Sequence, residues 1–326
     1  MTVAAALIGG TLVDAALGDP RRGHPVAGFG RAVMAIERAA YAPSIARGAA
    51  VAGASVVGAA APVWFVQRRL ADHPAGALVG ALVIWTSLGG RSLWAIGDRL
   101  AEHLAAGDLE AARALVPSLA GRDPSQLDAA GIARAATESL AENTADAVLG
   151  TLVWGAAFGP AGAAAHRAAN TLDAMHGHRS ERYLRFGRVA ARLDDALGFL
   201  PARVGAWLAV ALAPLVAPAG AGAPGGRGAT ARAVRVLRRD GRAHPSPNAG
   251  PMEAAFAGAL GLRLGGPLRY GTRDEVRPIL NAGGRTPDAE GLRGAVRLSR
   301  LVSLSTLGAV LAARWVVARR ITGAGR

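Results

Sequence analysis

Three carboxylates, Glu138, Glu142 and Asp146, stand four residues apart in a chain that is otherwise rich in alanine and glycine. On a regular helix that spacing gives nearly one face. Like charges on one stripe need a positive partner: magnesium, which takes carboxylate and phosphate oxygens, or nearby arginines. Arg167, Asn170, Asp173 and His176 follow at spacings of three, and Arg188, Arg192, Asp194 and Asp195 close the block. Arginine forks match phosphate oxygens, so a phosphate or nucleotide pocket suits these arginines. His176 and His178 with Asp173 are a weaker set for a transition metal. Asp14, Asp19 and His24-Pro25, near the first helix, repeat the pattern of polar groups at an apolar boundary and could complete a site from another helix. The segment His244–Pro251 is a rigid polar turn whose backbone N–H groups, with Asn248, could hold an anion at a helix start.

The background makes these groups informative. Of 326 residues, 51% are hydrophobic and 18% charged, against roughly 25% charged in a soluble domain. Uncharged runs cover 48–67, 74–90, 147–165 and 204–226, with a shorter one at 301–313 that Arg314 can extend by snorkelling. The expected fold is all-α: a polytopic integral membrane protein with four to six spans, in one domain over 1–326, with polar interfacial segments at 97–146 and 227–297. Strand-like alternation is nearly absent. The N-terminus lacks a basic leader and reads as a retained first helix. The net charge of +14 comes from arginine alone, for the chain has no lysine. That excludes a phosphate-loop lysine and lysine Schiff-base chemistry, and the lack of cysteine excludes thiolate nucleophiles and thiolate metal sites. Arginine bias beside long apolar runs argues against a nucleic-acid partner.

Helices are expected over 3–17, 31–40, 48–67 and 75–96, the last two joined by a turn at Asp72-His73-Pro74. Asp128 is a cap for the helix that carries the carboxylate stripe. Polar helix continues through 166–195, a Gly/Pro-rich break occupies 221–228, and a basic helix covers 229–240. An apolar helix over 252–262 and a final helix over 298–318 complete the chain. Between Pro218 and Leu298 there are 13 arginines against 6 acids, which favours a cytoplasmic side.

In this order the residues resemble a known family. The segments are Leu17-Gly18-Asp19-Pro20 with His24-Pro25-Val26, and Glu138-Ser139-Leu140-Ala141-Glu142-Asn143-Thr144-Ala145-Asp146. Next come Arg167-Ala168-Ala169-Asn170-Thr171-Leu172-Asp173-Ala174-Met175, Glu181-Arg182-Tyr183, and Ala191-Arg192-Leu193-Asp194-Asp195. Ser246-Pro247-Asn248-Ala249-Gly250 and Leu264-Gly265-Gly266 complete the set. They are similar to the adenosylcobinamide-phosphate synthase (cobinamide synthase) family of membrane-bound cobalamin-biosynthesis proteins. The chain departs from the family's pattern at His178-Arg179, where an aromatic and a lysine are usual, and at Pro251-Met252, where Trp-Pro is usual.

The resemblance implies an ATP-dependent amide ligase of the bacterial inner membrane. It would join adenosylcobyric acid, a corrinoid substrate, to aminopropanol or its O-phosphate. ATP and magnesium would be required, with membrane lipid and other cobalamin-assembly enzymes as surroundings. The chemistry then suggests roles. Glu138, Glu142, Asp146 and Asp173 suit magnesium or base duty, and Arg167, Arg188 and Arg192 suit phosphates or the substrate carboxylate. His24 or His176 suits proton removal. Asn170, Asp194, Asp195, Asp19 and Asn248 complete the expected binding set. A transporter and a non-catalytic scaffold for assembly enzymes are the alternatives.

Overall fold

The computed structural model describes residues 2–20, 22–119, 123–178, 180–217, 227–270 and 273–323. Arg179, most of the Gly/Pro-rich break at 221–228 and part of the loop before Asp128 lie outside the described residues. The elements are α1 (Thr2–Leu17), α2 (Pro25–Ala40), α3 (Ile45–Arg69), α4 (Pro74–Ser87), α5 (Gly90–Ala105), α6 (Leu109–Leu115) and α7 (Ala129–Asn143). After these come α8 (Gly150–Phe158), α9 (Pro160–His176), α10 (Tyr183–Phe186), α11 (Arg188–Leu212), α12 (Arg227–Asp240) and α13 (Ala249–Leu260). A hairpin of β1 (Leu264–Tyr270) and β2 (Arg273–Leu280) precedes α14 (Ala289–Gly323).

Four helical stretches are long and apolar enough to cross a bilayer: Ile45–Arg69, Pro74–Ala105, Arg188–Leu215 and Ala289–Arg320. This is the low end of the expected range. The apolar run 147–165 is not one crossing helix. Gly159, at φ 73°, turns the chain between α8 and α9, and Pro160 starts the second helix where a missing N–H costs nothing. The last helix begins nine residues before its expected start at 298, at Ala289, where Asp288 caps it by accepting from the Gly291 N–H at 2.7 Å.

The chain forms two compact units. The first comprises Met1–Arg91, Asp146–Gly198 and Thr306–Arg326. In it α1 packs on α4, and α9 lies against α3, α4 and α8. Val33, Ala52, Leu172 and Ala190 meet in its core, with Phe29, Val56 and Met175 packed against them. His24 and His73 cap α2 and α4, each accepting a backbone N–H through Nδ1 at 3.1 Å.

The second unit comprises Ser92–Ala145 and Phe199–Ser305. Helix α13 is its centre. Every residue from Met252 to Leu260 is buried, and α12 and α7 pack on it. Asp128 caps α7 as its sequence position suggests, accepting from Gly131 N at 2.7 Å. The antiparallel β1–β2 hairpin is the one departure from all-helical structure among the described residues, and it falls in the Gly/Arg-rich segment. Gly265 there has φ 79°, and a Cβ at that position would stand 2.1 Å from the Pro278 carbonyl oxygen. Only glycine fits the strand crossing.

Candidate active site

In the first unit, three separated segments bring polar groups together. His24 accepts the Val26 N–H through Nδ1, which leaves Nε2 facing Asp19 Oδ1 at 3.7 Å. Arg167, on α9, feels the charges of both Asp19 and Asp146. Burial pushes its guanidinium downward in pKa, and those two carboxylates oppose the shift. Arg167 Nε is buried with no hydrogen-bond partner among the described residues. A buried guanidinium N–H left open is a ready donor for an anion. The side chain lines an open cleft of about 240 Å³ with Val26, Phe29, Thr86, Ser87 and Thr171.

One turn along α9, Asn170 Nδ2 donates to Asp194 Oδ1 at 3.4 Å and ties α9 to α11. Asp195 is half-buried beside Asp194, whereas Arg188 and Arg192 are exposed at the start of α11. Asp173 lies in the last turn of α9 against Gly177, where a Cβ would come within 1.9 Å of its Oδ1.

His176 stands apart from this group. It is buried, and its Nε2 lies 3.1 Å from Glu37 Oε2. A carboxylate only accepts, so Nε2 carries the proton. Glu37 Oε1 also accepts from Arg182 Nε and Nη2, at 3.1 and 2.8 Å, and from the Tyr183 hydroxyl at 3.1 Å. Arg182 lies over the Tyr41 ring at 4.0 Å, and the Tyr41 hydroxyl donates to the Arg182 carbonyl. Burial raises the Glu37 pKa, but the Arg182, Tyr183 and His176 contacts outweigh it and hold the carboxyl below its ordinary value. This knot fixes α2 to the chain after α9. His176, read from sequence as a base, is thus a member of a carboxylate-centred brace.

The carboxylate stripe is interrupted. Residues Thr144–Leu149 form a π-turn, with bonds one residue longer than in an α-helix. Among the described residues no group of three histidines, aspartates or glutamates is placed to hold a metal ion. Glu138 is 1% exposed, and its Oε1 accepts the Gly265 N–H at 2.7 Å, anchoring the hairpin to α7. Glu142 is half-buried in the last turn of α7.

The second unit holds another buried polar cluster. Glu253, on the apolar α13, has its Oε1 3.7 Å from both His244 Nε2 and Arg277 Nη1. His244 Nε2 and Arg277 Nη1 are 3.1 Å apart. Burial pushes the His244 pKa down, and neighbouring Arg277 adds to the shift. Asn248 does not offer an open anion turn. Its Oδ1 accepts from Arg203 Nη1 at 2.9 Å, and Ser246 Oγ accepts the N–H groups of Asn248 and Ala249. Sequence reading passed over Glu37 and Glu253. The signal for Glu253 was present, a lone acid in the uniformly apolar stretch 249–260. Glu37 resembled any solvated residue of an amphipathic helix.

The Glu138 contact yields a test. Glu138→Ala leaves the buried Gly265 N–H without an acceptor and should destabilise by about 1–3 kcal/mol. Glu138→Gln keeps a carbonyl oxygen there and should unfold close to the parent in a detergent melt. Equal losses in both variants would show that the hairpin does not depend on this bond.

Comparison with known proteins places the chain. The family description "CobD/Cbib protein" matches residues 7–299. This chain belongs to that family. It is 47% identical over 319 residues to the "Cobalamin biosynthesis protein CobD" of Mycobacterium tuberculosis, covering 98% of this chain and 97% of the relative. The protein of that name from Chromobacterium violaceum is 41% identical over 293 residues, with 88% and 89% covered. The one from Rhodobacter capsulatus is 39% identical over 322 residues, with 94% and 96% covered. No solved structure matches. With four membrane-spanning helices and bacterial relatives of this kind, this CobD/Cbib member is a multi-pass protein of the cytoplasmic membrane.

Proposed function

We propose that the protein is an ATP-dependent amide ligase that joins adenosylcobyric acid to aminopropanol or its O-phosphate in cobalamin assembly. The near-full-length relationship to CobD proteins supports the pathway. The convergence of Arg167, Asp19, His24 and Asp146 in one unit is the observation that carries the chemistry.

A carboxylate does not condense with an amine unaided, because its oxygen is a poor leaving group. Transfer of the terminal phosphoryl group of ATP to a substrate carboxylate oxygen, with ADP leaving, gives an acyl phosphate. The amine then attacks the carbonyl carbon, a C–N bond forms, and inorganic phosphate departs as the C–O bond breaks. Arg167, with its open Nε–H, binds a phosphoryl or carboxylate oxygen and stabilises the charge that develops there. The proton released by the attacking amine passes to Asp19, whose Oδ1 faces the proton-bearing Nε2 of His24 at 3.7 Å. Magnesium arriving with ATP keeps most of its ligands as water and phosphate oxygens, so one or two carboxylates suffice. Asp146, an acid whose charge Arg167 feels, would supply one of them. The metal's contribution is to neutralise phosphate charge.

The test is a ligation assay on detergent-purified full-length protein with adenosylcobyric acid, Mg-ATP and either amine, read by mass spectrometry. Amide formed with one amine and not the other fixes the acceptor. Folded, monodisperse protein that forms no amide with either amine would overturn the ligase reading.

A further inference from the structure

We propose that the first unit carries a specific site for an anionic phospholipid, with one acyl chain held along α3 and the phosphate held by Arg68 and Arg314. The site lies apart from the Arg167 group and does not depend on the ligase reading.

An apolar groove of about 590 Å³ runs between α3, α8, α9 and α11. Its α3 wall is Val57, Ala60, Ala61 and Trp64, at successive turns of one helix face. Opposite them, Ala161, Gly162 and Ala165 on α9 are small, and that smallness makes the surface concave. Trp154 stacks on Phe158, with ring centroids 5.8 Å apart, and is fixed by its Nε1–H donating to the Leu197 carbonyl. Helix α3 is a membrane-spanning helix, and Val57 and Trp64 are exposed on it. The groove therefore opens toward lipid.

Trp64 and Phe158 also wall a second chamber of about 410 Å³, where the lining turns polar: Gln67, Arg68 and Arg314. No carboxylate lines either chamber among the described residues. Arg68 lies over the Trp64 ring at 5.0 Å and Arg69 over Phe65 at 4.9 Å. Tryptophan and arginine stacked in the last turn of a span mark the headgroup level of a bilayer. Arg314 Nη1 donates to the Ala156 carbonyl, which holds the guanidinium at the chamber. The order along α3 is thus aliphatic, aromatic, amide, cation. A phospholipid has the same order, from acyl chain through glycerol backbone to phosphate. A free phosphate would satisfy the arginines and leave the apolar groove empty. A zwitterionic lipid would bring a cation of its own to a chamber that has no anion to receive it.

The experiment uses the full chain, exchanged in detergent into an equal mixture of phosphatidylglycerol and phosphatidylcholine and examined by native mass spectrometry. Melting is followed while phosphatidylglycerol, phosphatidylcholine or inorganic phosphate is added. The parent should retain phosphatidylglycerol selectively and be raised in Tm by that lipid alone. Each arginine near a headgroup contributes roughly a fivefold affinity gain, so R68Q/R314Q should bind phosphatidylglycerol more weakly by tenfold or more. R47Q, at the other end of α3, should bind like the parent. Should the double variant fail to fold, R68Q alone carries the test, because that side chain is exposed. Equal retention of both lipids, a Tm response to phosphate alone, or undiminished phosphatidylglycerol binding by R68Q would each overturn the proposal. So would loss of the bound lipid on adding adenosylcobyric acid, which would mark the groove as substrate space.

Discussion

Arg167→Gln should lower kcat for amide formation by about 10²–10³-fold, the usual cost of removing one preorganised donor from a developing negative charge. Glutamine keeps a polar side chain there but lacks the charge and the guanidinium fork. Arg167→Lys keeps the charge at one point and should recover only part of the loss. The effect belongs to the reacting state, so KM for the amine should move little while kcat falls. Removing the arginine also leaves Asp19 and Asp146 without the cation whose field they share. The melting curve of each variant must therefore be measured beside its rate. A folded Gln variant that ligates within about threefold of the parent would remove Arg167 from the reaction.

The second large effect concerns stability. Glu37→Ala deletes the acceptor shared by His176, Arg182 and Tyr183, and it leaves the buried His176 N–H without a partner. Breaking a buried ionic cluster on one side costs about 3–5 kcal/mol. Because Arg182 is largely exposed, the lower part of that range applies here. The sign of the pH dependence follows from the lowered Glu37 pKa. The carboxylate's contribution is fully present above its ordinary value of 4.5 and is lost as pH falls through the lower folded-state value. The parent should therefore lose thermal stability steeply in that acid range, and Glu37→Gln should show a shallower slope. Parallel slopes for the two proteins would mean that Glu37 is not the group that titrates.

Much of the fold was legible because its signals are local. Uncharged runs gave α3 and most of the other spans, and Asp128 marked a helix start correctly. The runs 147–165 and 204–226 misled for a shared reason: apolar composition measures solubility in lipid but not continuity of a helix. Gly159 and Pro160 break the first run, and α11 stops at Leu212 inside the second. The hairpin at 264–280 escaped notice because Gly265, Gly266 and the arginines hide period-two alternation.

The site was legible as a set of segments rather than as geometry. Asp19, His24, Asp146 and Arg167 come from three distant stretches, and their meeting depends on how α9 packs. Glu138 and His176 looked the same as these in sequence. Only their partners, the Gly265 N–H and Glu37, show them to be anchoring groups.

The π-turn at Thr144–Leu149 can be viewed as one surplus residue carried inside an otherwise regular helix. A residue subtends roughly 100° of helical rotation. Excising Ala145 alone would let the segment relax into ordinary α geometry, because the wide turn already absorbs the extra residue.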